Sequence, residues 1–218
     1  MVSILNTQYL NKRRQMVINQ IVARNIMNKK LIQAMLNVPR HMFVPEKYME
    51  FAYDDRPLPI GYDQTISQPY VVALMTENLE LHEGDKILEI GTGSGYQAAI
   101  LSEMGCKVYT IEIIEPLGRK AKCILDYTGF ENVNCKIGDG YKGWKEYAPF
   151  DKIIVTAAPP KIPQPLIDQL VINGKMVMPV GNDYQELELI TKTDQGLLIK
   201  NIGPVLFVQM TGETQAEK

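Results

Sequence analysis

Three glycines at alternate positions, Gly91, Gly93 and Gly95, separate an apolar run from a helical pattern in KILEIGTGSGY, residues 86–96. Lys86–Ile90 is apolar enough for a buried strand, and Tyr96, Ala99, Ile100 and Met104 then recur at helical spacing. A strand that enters a glycine-rich turn and leaves as a helix brings backbone N–H groups and a helix N-terminus to a ligand. Glycine lets that backbone bend sharply and approach the ligand with no Cβ in the way. An ordinary tight turn needs one glycine, so three in alternation point to binding. The two commonest ligands are disfavoured. The dinucleotide fingerprint G-x-G-x-x-G is broken by Tyr96 at its third glycine, and no G-x-x-x-x-G-K-[ST] pattern for a nucleoside triphosphate occurs.

Two carboxylates stand farther along. Glu112 ends the predicted strand Lys107–Ile113, 21 positions after Gly91 (112 − 91), where an acidic side chain accepts hydrogen bonds from ribose hydroxyls. Asp139 sits between Gly138 and Gly140 at the end of a third strand, Val133–Ile137; taken alone, G-D-G reads as a solvated turn. The G-x-G-x-G spacing with Glu89 just before it resembles the first motif of S-adenosylmethionine-dependent methyltransferases. That cofactor has no phosphates and needs close backbone approach more than a phosphate cradle.

The elements that position these residues follow from pattern. From Asp85 onward strand and helix alternate, which predicts an α/β fold with a doubly wound, mostly parallel Rossmann-like sheet. Pro116 suits the first turn of a helix whose buried face is Leu117, Ala121, Ile124 and Leu125. A fourth strand is read at Lys152–Thr156, ending in Ala157-Ala158-Pro159-Pro160, whose small residues leave room for a ligand. A short helix at Pro165–Leu170, a fifth strand at Met176–Pro179, and alternation through Leu187–Thr191 and Leu197–Ile202 complete the core, with antiparallel strands at the C-terminal end and a polar tail after Thr211. Ahead of it, residues 7–37 carry two apolar stripes, Val17/Ile18/Ile21/Val22 and Leu31/Ile32/Met35/Leu36, closed by Pro39: a helical N-terminal appendage. One integrated domain is expected, with residues 1–80 as appendage and flap and 81–218 as the core.

Composition narrows the class. The 218 residues carry a net charge of −2 and 45% hydrophobic content, which fits a soluble globular protein and leaves no basic footprint for nucleic acid. Lys12, Arg13 and Arg14 read as the solvated face of a helix. No apolar run reaches membrane-spanning length and no signal-peptide pattern opens the chain, so a cytoplasmic protein is expected. Cys106, Cys123 and Cys135 suit neither disulfides nor a metal, and Cys123 and Cys135 are expected as small core residues. His41 and His82 lack ligand-like partners, with His82 in an exposed turn, and no metal site is predicted.

Val38–Ala73 breaks the regular pattern. Five prolines stiffen it, at 39, 45, 57, 59 and 69, and its many aromatic and aliphatic residues mark an ordered segment suited to covering a cleft. It reads V-P-R-x-x-F-V-P, then A-Y-x-D-x-P-L-P-I-G, then Q-T-I-S-Q-P-Y. Followed by L-E-I-G-T-G-S-G-Y, these motifs strongly resemble protein-L-isoaspartate O-methyltransferases, over about Val38 to Thr211. The pair P-L-P-I-G and T-I-S-Q-P is nearly peculiar to that family. Two departures are visible: Asp63 stands where the family most often has glycine, and Gln209 where it usually has proline.

The resemblance implies S-adenosyl-L-methionine as cofactor, leaving S-adenosyl-L-homocysteine, and transfer of its methyl group to the free carboxylate of L-isoaspartyl residues in damaged proteins and peptides. The ester would collapse to a succinimide whose hydrolysis restores some aspartate, so the implied activity is protein repair. Ser67 is the implied catalytic residue, also substrate-binding. Gln64, Thr65, Ile66, Glu89, Gly91, Thr92, Gly93, Gly95, Glu112, Asp139, Gly140 and Thr211 are implied for the cofactor, with Asp139 at the adenine amino group. Leu206 and Val208 lie in the segment that would wall the peptide site and offer main-chain hydrogen bonds. A monomer with no nucleic-acid or membrane partner is expected. Three other readings remain: a methyltransferase of another carboxylate, small molecule or RNA base, a non-catalytic binding module, and, weakest given Tyr96, a nicotinamide oxidoreductase.

Overall fold

The computed structural model describes residues 2–213; Met1 and most of the expected polar tail, residues 214–218, lie outside them. The chain opens with helices α1 (Val2–Met16) and α2 (Lys29–Asn37), the second capped by the Asn28 side chain accepting from Leu31 N–H. A hairpin follows, β1 (Leu58–Gly61) and β2 (Gln64–Ile66), and then α3 (Pro69–Asn78). The remaining elements are β3 (Lys86–Ile90), α4 (Tyr96–Glu103), β4 (Lys107–Glu112), α5 (Glu115–Tyr127), β5 (Asn134–Ile137), β6 (Phe150–Val155), α6 (Gln164–Asp168), β7 (Leu170–Gly181), β8 (Gln185–Thr193) and β9 (Gly196–Val205). None of the described helices is long and apolar enough to cross a membrane.

Seven strands form one sheet in the order β5-β4-β3-β6-β7-β8-β9. The first five are parallel; β8 and β9 add an antiparallel meander. From β3 the chain moves outward through β4 to β5, then returns to lay β6 on the other side of β3. That reversal opens a crevice at the carboxyl ends of β3 and β6, the place where open α/β sheets take ligands.

Burial on both faces makes the central strands continuous apolar runs. Ile87, Val108, Ile154 and Val177 point to one face, where they share a core with Ile100 and Leu101 of α4 and with Met16, Ile21, Leu31 and Met35 of the N-terminal region. Leu88, Ile90, Ile153 and Val155 point to the other, against Leu166 and Ile167 of α6. The N-terminal helices therefore share an apolar core with one side of the sheet.

The structure corrects several sequence expectations. Val17 and Ile21 are buried, but Ile18 and Val22 are exposed, because the backbone widens to a π-helical turn over Val17–Ile21 and the α-helical stripe no longer applies. Lys12 and Arg13 are half-buried rather than solvated, donating to the carbonyls of Glu50 and Asn37. Cys123 is exposed, on the outer side of α5. The helix near 165 ends at Asp168, and β7 runs twelve residues where only Met176–Pro179 is predicted. Asn173 and Gly174 carry residue types that favour turns, yet the strand absorbs them as a bulge: Phe150 pairs with Leu170 while Lys152 pairs with Lys175.

Candidate active site

The cleft at the sheet's carboxyl edge is closed on one side by the glycine turn and on the other by the β1–β2 hairpin. Gln64, Thr65, Ile66 and Ser67 line it from the hairpin side, and Glu89, Gly91, Thr92, Gly93 and Glu112 from the sheet. Gly140, Val208 and Thr211 also reach it. Three predicted residues do not line it. Gly95 sits one step behind, starting α4 at φ +87° and packing against Leu125. Asp139 sits apart from the lining, and Leu206 is 88% exposed beyond β9.

The glycine turn works differently from the sequence expectation. Three of its N–H groups are spent inside the protein: Gly91 and Thr92 donate to the Ile111 carbonyl, and Gly93 donates to Glu112 Oε2 at 2.7 Å. At Gly91–Gly93 the turn therefore offers a ligand room rather than donors. Gly91 has φ +92°, and a Cβ there would overlap Thr156 Oγ1, which donates to the carbonyls of Ile90 (3.0 Å) and Gly91 (2.7 Å). Thr156 thus staples β6 to β3 across the crevice, a role no sequence motif announces. Gly91→Ala is expected to destabilise the fold by about 3 kcal/mol, from strained backbone plus overpacking. Gly93→Ala, whose Cβ meets only Ile60 Cδ1 at 3.5 Å, is expected to cost no more than about 1–2 kcal/mol, all of it backbone strain at φ +52°. Denaturant melts of the two variants check the order.

Two carboxylates face the cleft in opposite states. Glu112 is 6% exposed, and its oxygens accept from Gly93 N–H and, at 2.9 Å, from Ile114 N–H. Each oxygen keeps a spare lone pair in a fixed direction, so the group is pre-aimed at two hydroxyl donors. Glu89 is fully buried, and neither oxygen has a hydrogen-bond partner. Burial pushes its pKa up to about 8; the nearby Thr110 hydroxyl, paired at 2.6 Å with Thr92 Oγ1 and not with Glu89, opposes the rise, and the Glu112 charge adds to it. A buried carboxyl without partners invites a cationic ligand group.

Asp139 is already engaged: Oδ1 accepts from Tyr141 N–H at 2.9 Å and Oδ2 from Glu213 N–H at 2.8 Å, with Lys142 paired to Glu213 at 2.5 Å. The C-terminal segment is thereby tied across the end of β5. It is also clamped to the sheet, since Ala158 N–H donates to the Val208 carbonyl and Met210 N–H to the Ala158 carbonyl, both at 2.8 Å. That pattern makes no use of the Gln209 N–H. A proline fits there for the same reason, and the glutamine adds a bond from Nε2 to the Asn182 carbonyl at 3.0 Å. The other departure, Asp63, forms the hairpin's two-residue loop with Tyr62, at φ +55° and +53°. Such a loop favours glycine, and Asp is among the few other residues that tolerate it.

Comparison with known proteins fits this geometry. The family model described as protein-L-isoaspartate(D-aspartate) O-methyltransferase matches residues 11–215. The chain belongs to this family. A protein-L-isoaspartate O-methyltransferase of Gloeobacter violaceus is 50% identical over 204 residues, 93% of this chain and all of the relative. One from Geobacter metallireducens is 55% identical over 203 residues, 92% of this chain and 94% of the relative. Among solved structures, a protein-L-isoaspartate O-methyltransferase aligns with TM-score 0.86 at 29% identity, covering 93% of this chain and 67% of the other. A Plasmodium falciparum protein described as a beta-aspartate methyltransferase, in complex with S-adenosyl-L-homocysteine, aligns with TM-score 0.80 at 27% identity, covering 91% of this chain and 98% of the other.

S-adenosylmethionine is the family's cofactor, and the cleft of this methyltransferase fits it on its own terms. The partnerless Glu89 suits a cationic group, Glu112 suits a pair of hydroxyl donors, and the turn at Gly91–Gly93 leaves the floor free of side-chain bulk. Arg40, Thr156 and Gln97 are the residues that sequence reasoning passed over. Gln97 is 7% exposed and lines the cleft while donating to Thr76 Oγ1 at 3.0 Å. A polar residue inside an apolar helical pattern was the available signal for it.

Proposed function

We propose that this chain transfers a methyl group from S-adenosyl-L-methionine to the free carboxylate of L-isoaspartyl residues in damaged proteins and peptides, the first step of their repair. The observation that carries this reading is Ser67, half-buried at the cleft wall opposite the glycine turn, on the flap whose motif is nearly peculiar to the family. Its hydroxyl has no hydrogen-bond partner among the described residues and is available to a substrate.

The substrate carboxyl has an unperturbed pKa of about 4 and is already ionised at neutral pH, so the chemistry needs no general base. The residues lining the cleft agree: they include no histidine and no lysine. When bound, the cofactor supplies an electrophilic methyl group on a sulfonium. The protein's own task is positioning and exclusion of water. Ser67 donates one hydrogen bond to the incoming carboxylate. A serine orients the anion without the strong ground-state stabilisation an arginine would add. Glu112 holds the ribose hydroxyls, Glu89 faces the cationic end, and Thr65, Ile66 and Thr211 close the rim.

In this reading residues 1–80 supply the appendage and flap and 81–218 the cofactor core of one integrated domain. The enzyme works in the cytoplasm as a monomer. Leu206 and Val208 contribute to the peptide site in this reading: the Phe207 backbone is held by Gln185 (2.7 and 3.0 Å), whereas the N–H groups of Leu206 and Val208 have no partner among the described residues. The deciding experiment is transfer of labelled methyl to an isoaspartyl peptide beside its aspartyl twin. Base-labile label on the first alone is expected; equal label on both, or on neither, overturns the reading.

A further inference from the structure

One residue of the V-P-R-x-x-F-V-P motif remains without a role. Arg40 follows Pro39 at the start of a 3-10 turn, Arg40–Phe43, and is fully buried. Its Nε donates to the Ala52 carbonyl and its Nη2 to the Ser67 carbonyl, each at 2.7 Å. The guanidinium carbon lies 4.8 Å from the centre of the Tyr96 ring. Nη1 has no partner, and among the described residues no carboxylate pairs with this cation. Burial lowers its pKa to about 10, so it stays charged at neutral pH.

A buried cation without a counter-ion is an expensive way to fill space, since an apolar side chain of similar volume does so at lower cost. What an apolar side chain cannot do is hold two carbonyls. Ser67 lies between β2 and α3 and belongs to neither, and no backbone N–H among the described residues bonds its carbonyl. The guanidinium is therefore what fixes the Ser67 peptide plane. Tyr96, the ring beneath it, is the first residue of α4 after the glycine turn and lines the same cleft.

We infer that Arg40 is a positioning residue for the methyl transfer: by gripping the Ser67 carbonyl while resting on Tyr96, it sets the direction of the Ser67 hydroxyl relative to the glycine turn. The inference rests on the function proposed above, and the charge itself stays one residue away from the substrate. Misplacing a reacting group by about 1 Å costs on the order of 100-fold in rate.

A double-mutant cycle on the full chain separates this role from a merely structural one. Arg40→Met is expected to lower kcat on an isoaspartyl peptide by about 10- to 100-fold, with the cofactor Kd changed less than about threefold. In a Ser67→Ala background the same substitution is expected to change kcat less than about threefold, because the group it aims is gone. Arg40→Lys, keeping the charge and one carbonyl bond, is expected to recover part of the rate. Equal losses in both backgrounds, or a Ser67→Ala enzyme as active as the parent, overturn the inference. Should Arg40→Met fail to fold, the cycle is run with Arg40→Lys under the same criteria. A parent chain that methylates no isoaspartyl peptide refutes the underlying function instead, and is read out first.

Discussion

Replacing Ser67 with alanine is expected to lower kcat on an isoaspartyl peptide by about 100-fold, the usual scale for removing one well-aimed hydrogen-bond donor at a reacting group. Cofactor binding is expected to hold within about threefold, because Glu89, Glu112 and the glycine turn are reached from the sheet side of the cleft and not from the flap. Stability is also expected to hold: the Ser67 hydroxyl bonds nothing in the protein, and Gln68, not Ser67, precedes α3 with no side-chain cap. Steady-state kinetics and calorimetric titration with S-adenosylhomocysteine measure the two halves. An unchanged kcat removes Ser67 from the mechanism, and a lost cofactor affinity reassigns it to the cofactor.

The second large effect concerns Glu89. In the unfolded chain it titrates at the ordinary value of 4.5, whereas the cofactor-free folded protein keeps its proton up to about 8. Between those values the folded state binds a proton that the unfolded state does not, so this group makes stability fall as pH rises from about 5 to 8 and then level off. At about 1.4 kcal/mol for each unit of pKa difference, the whole loss is of order 5 kcal/mol. Glu89→Gln has no proton to lose. Denaturant melts from pH 5 to 9 are expected to show the wild type losing ground to this variant across that window; parallel curves would falsify the assignment. A cationic ligand beside Glu89 favours its ionised form, so cofactor binding at neutral pH is expected to release a proton. Titration in buffers of different ionisation enthalpy measures that release, and Glu89→Gln is expected to abolish it.

What the sequence shows, and what it hides, divides along physical lines. β3 and β4 were legible because burial makes them short apolar runs, β3 placed to the residue and β4 within one; β5, a largely exposed edge strand, was also placed within one residue. β7 was cut short because Asn173 and Gly174 carry turn chemistry that neighbouring strands override by pairing around a bulge. The stripe at Val17–Val22 failed because a π-turn changes the period on which the reading depended. Gly91, Gly93, Glu112 and Ser67, which type and spacing single out in the sequence, all line the cleft. Type and spacing do not single out Thr156 and Arg40, since their importance lies in contacts with Ile90, Gly91, Ala52 and Ser67, up to 66 positions away, that no local pattern encodes. Even at the glycine turn, read correctly for place, the N–H groups of Gly91, Thr92 and Gly93 are consumed by Ile111 and Glu112.

The apolar core that runs from the N-terminal helices onto one face of the sheet ties the flap's fate to the whole molecule. Phe43, Leu58, Ile60 and Ile66, which carry the serine-bearing hairpin, are buried in the same cluster as Ile87 and Val177 of the central strands. A flap built on its own hydrophobic island melts early and leaves a folded but idle protein. Here the hairpin shares its core with the sheet, which favours one cooperative unit. Heat is therefore expected to inactivate and unfold this chain in a single transition, so that activity and near-UV circular dichroism are lost at the same temperature.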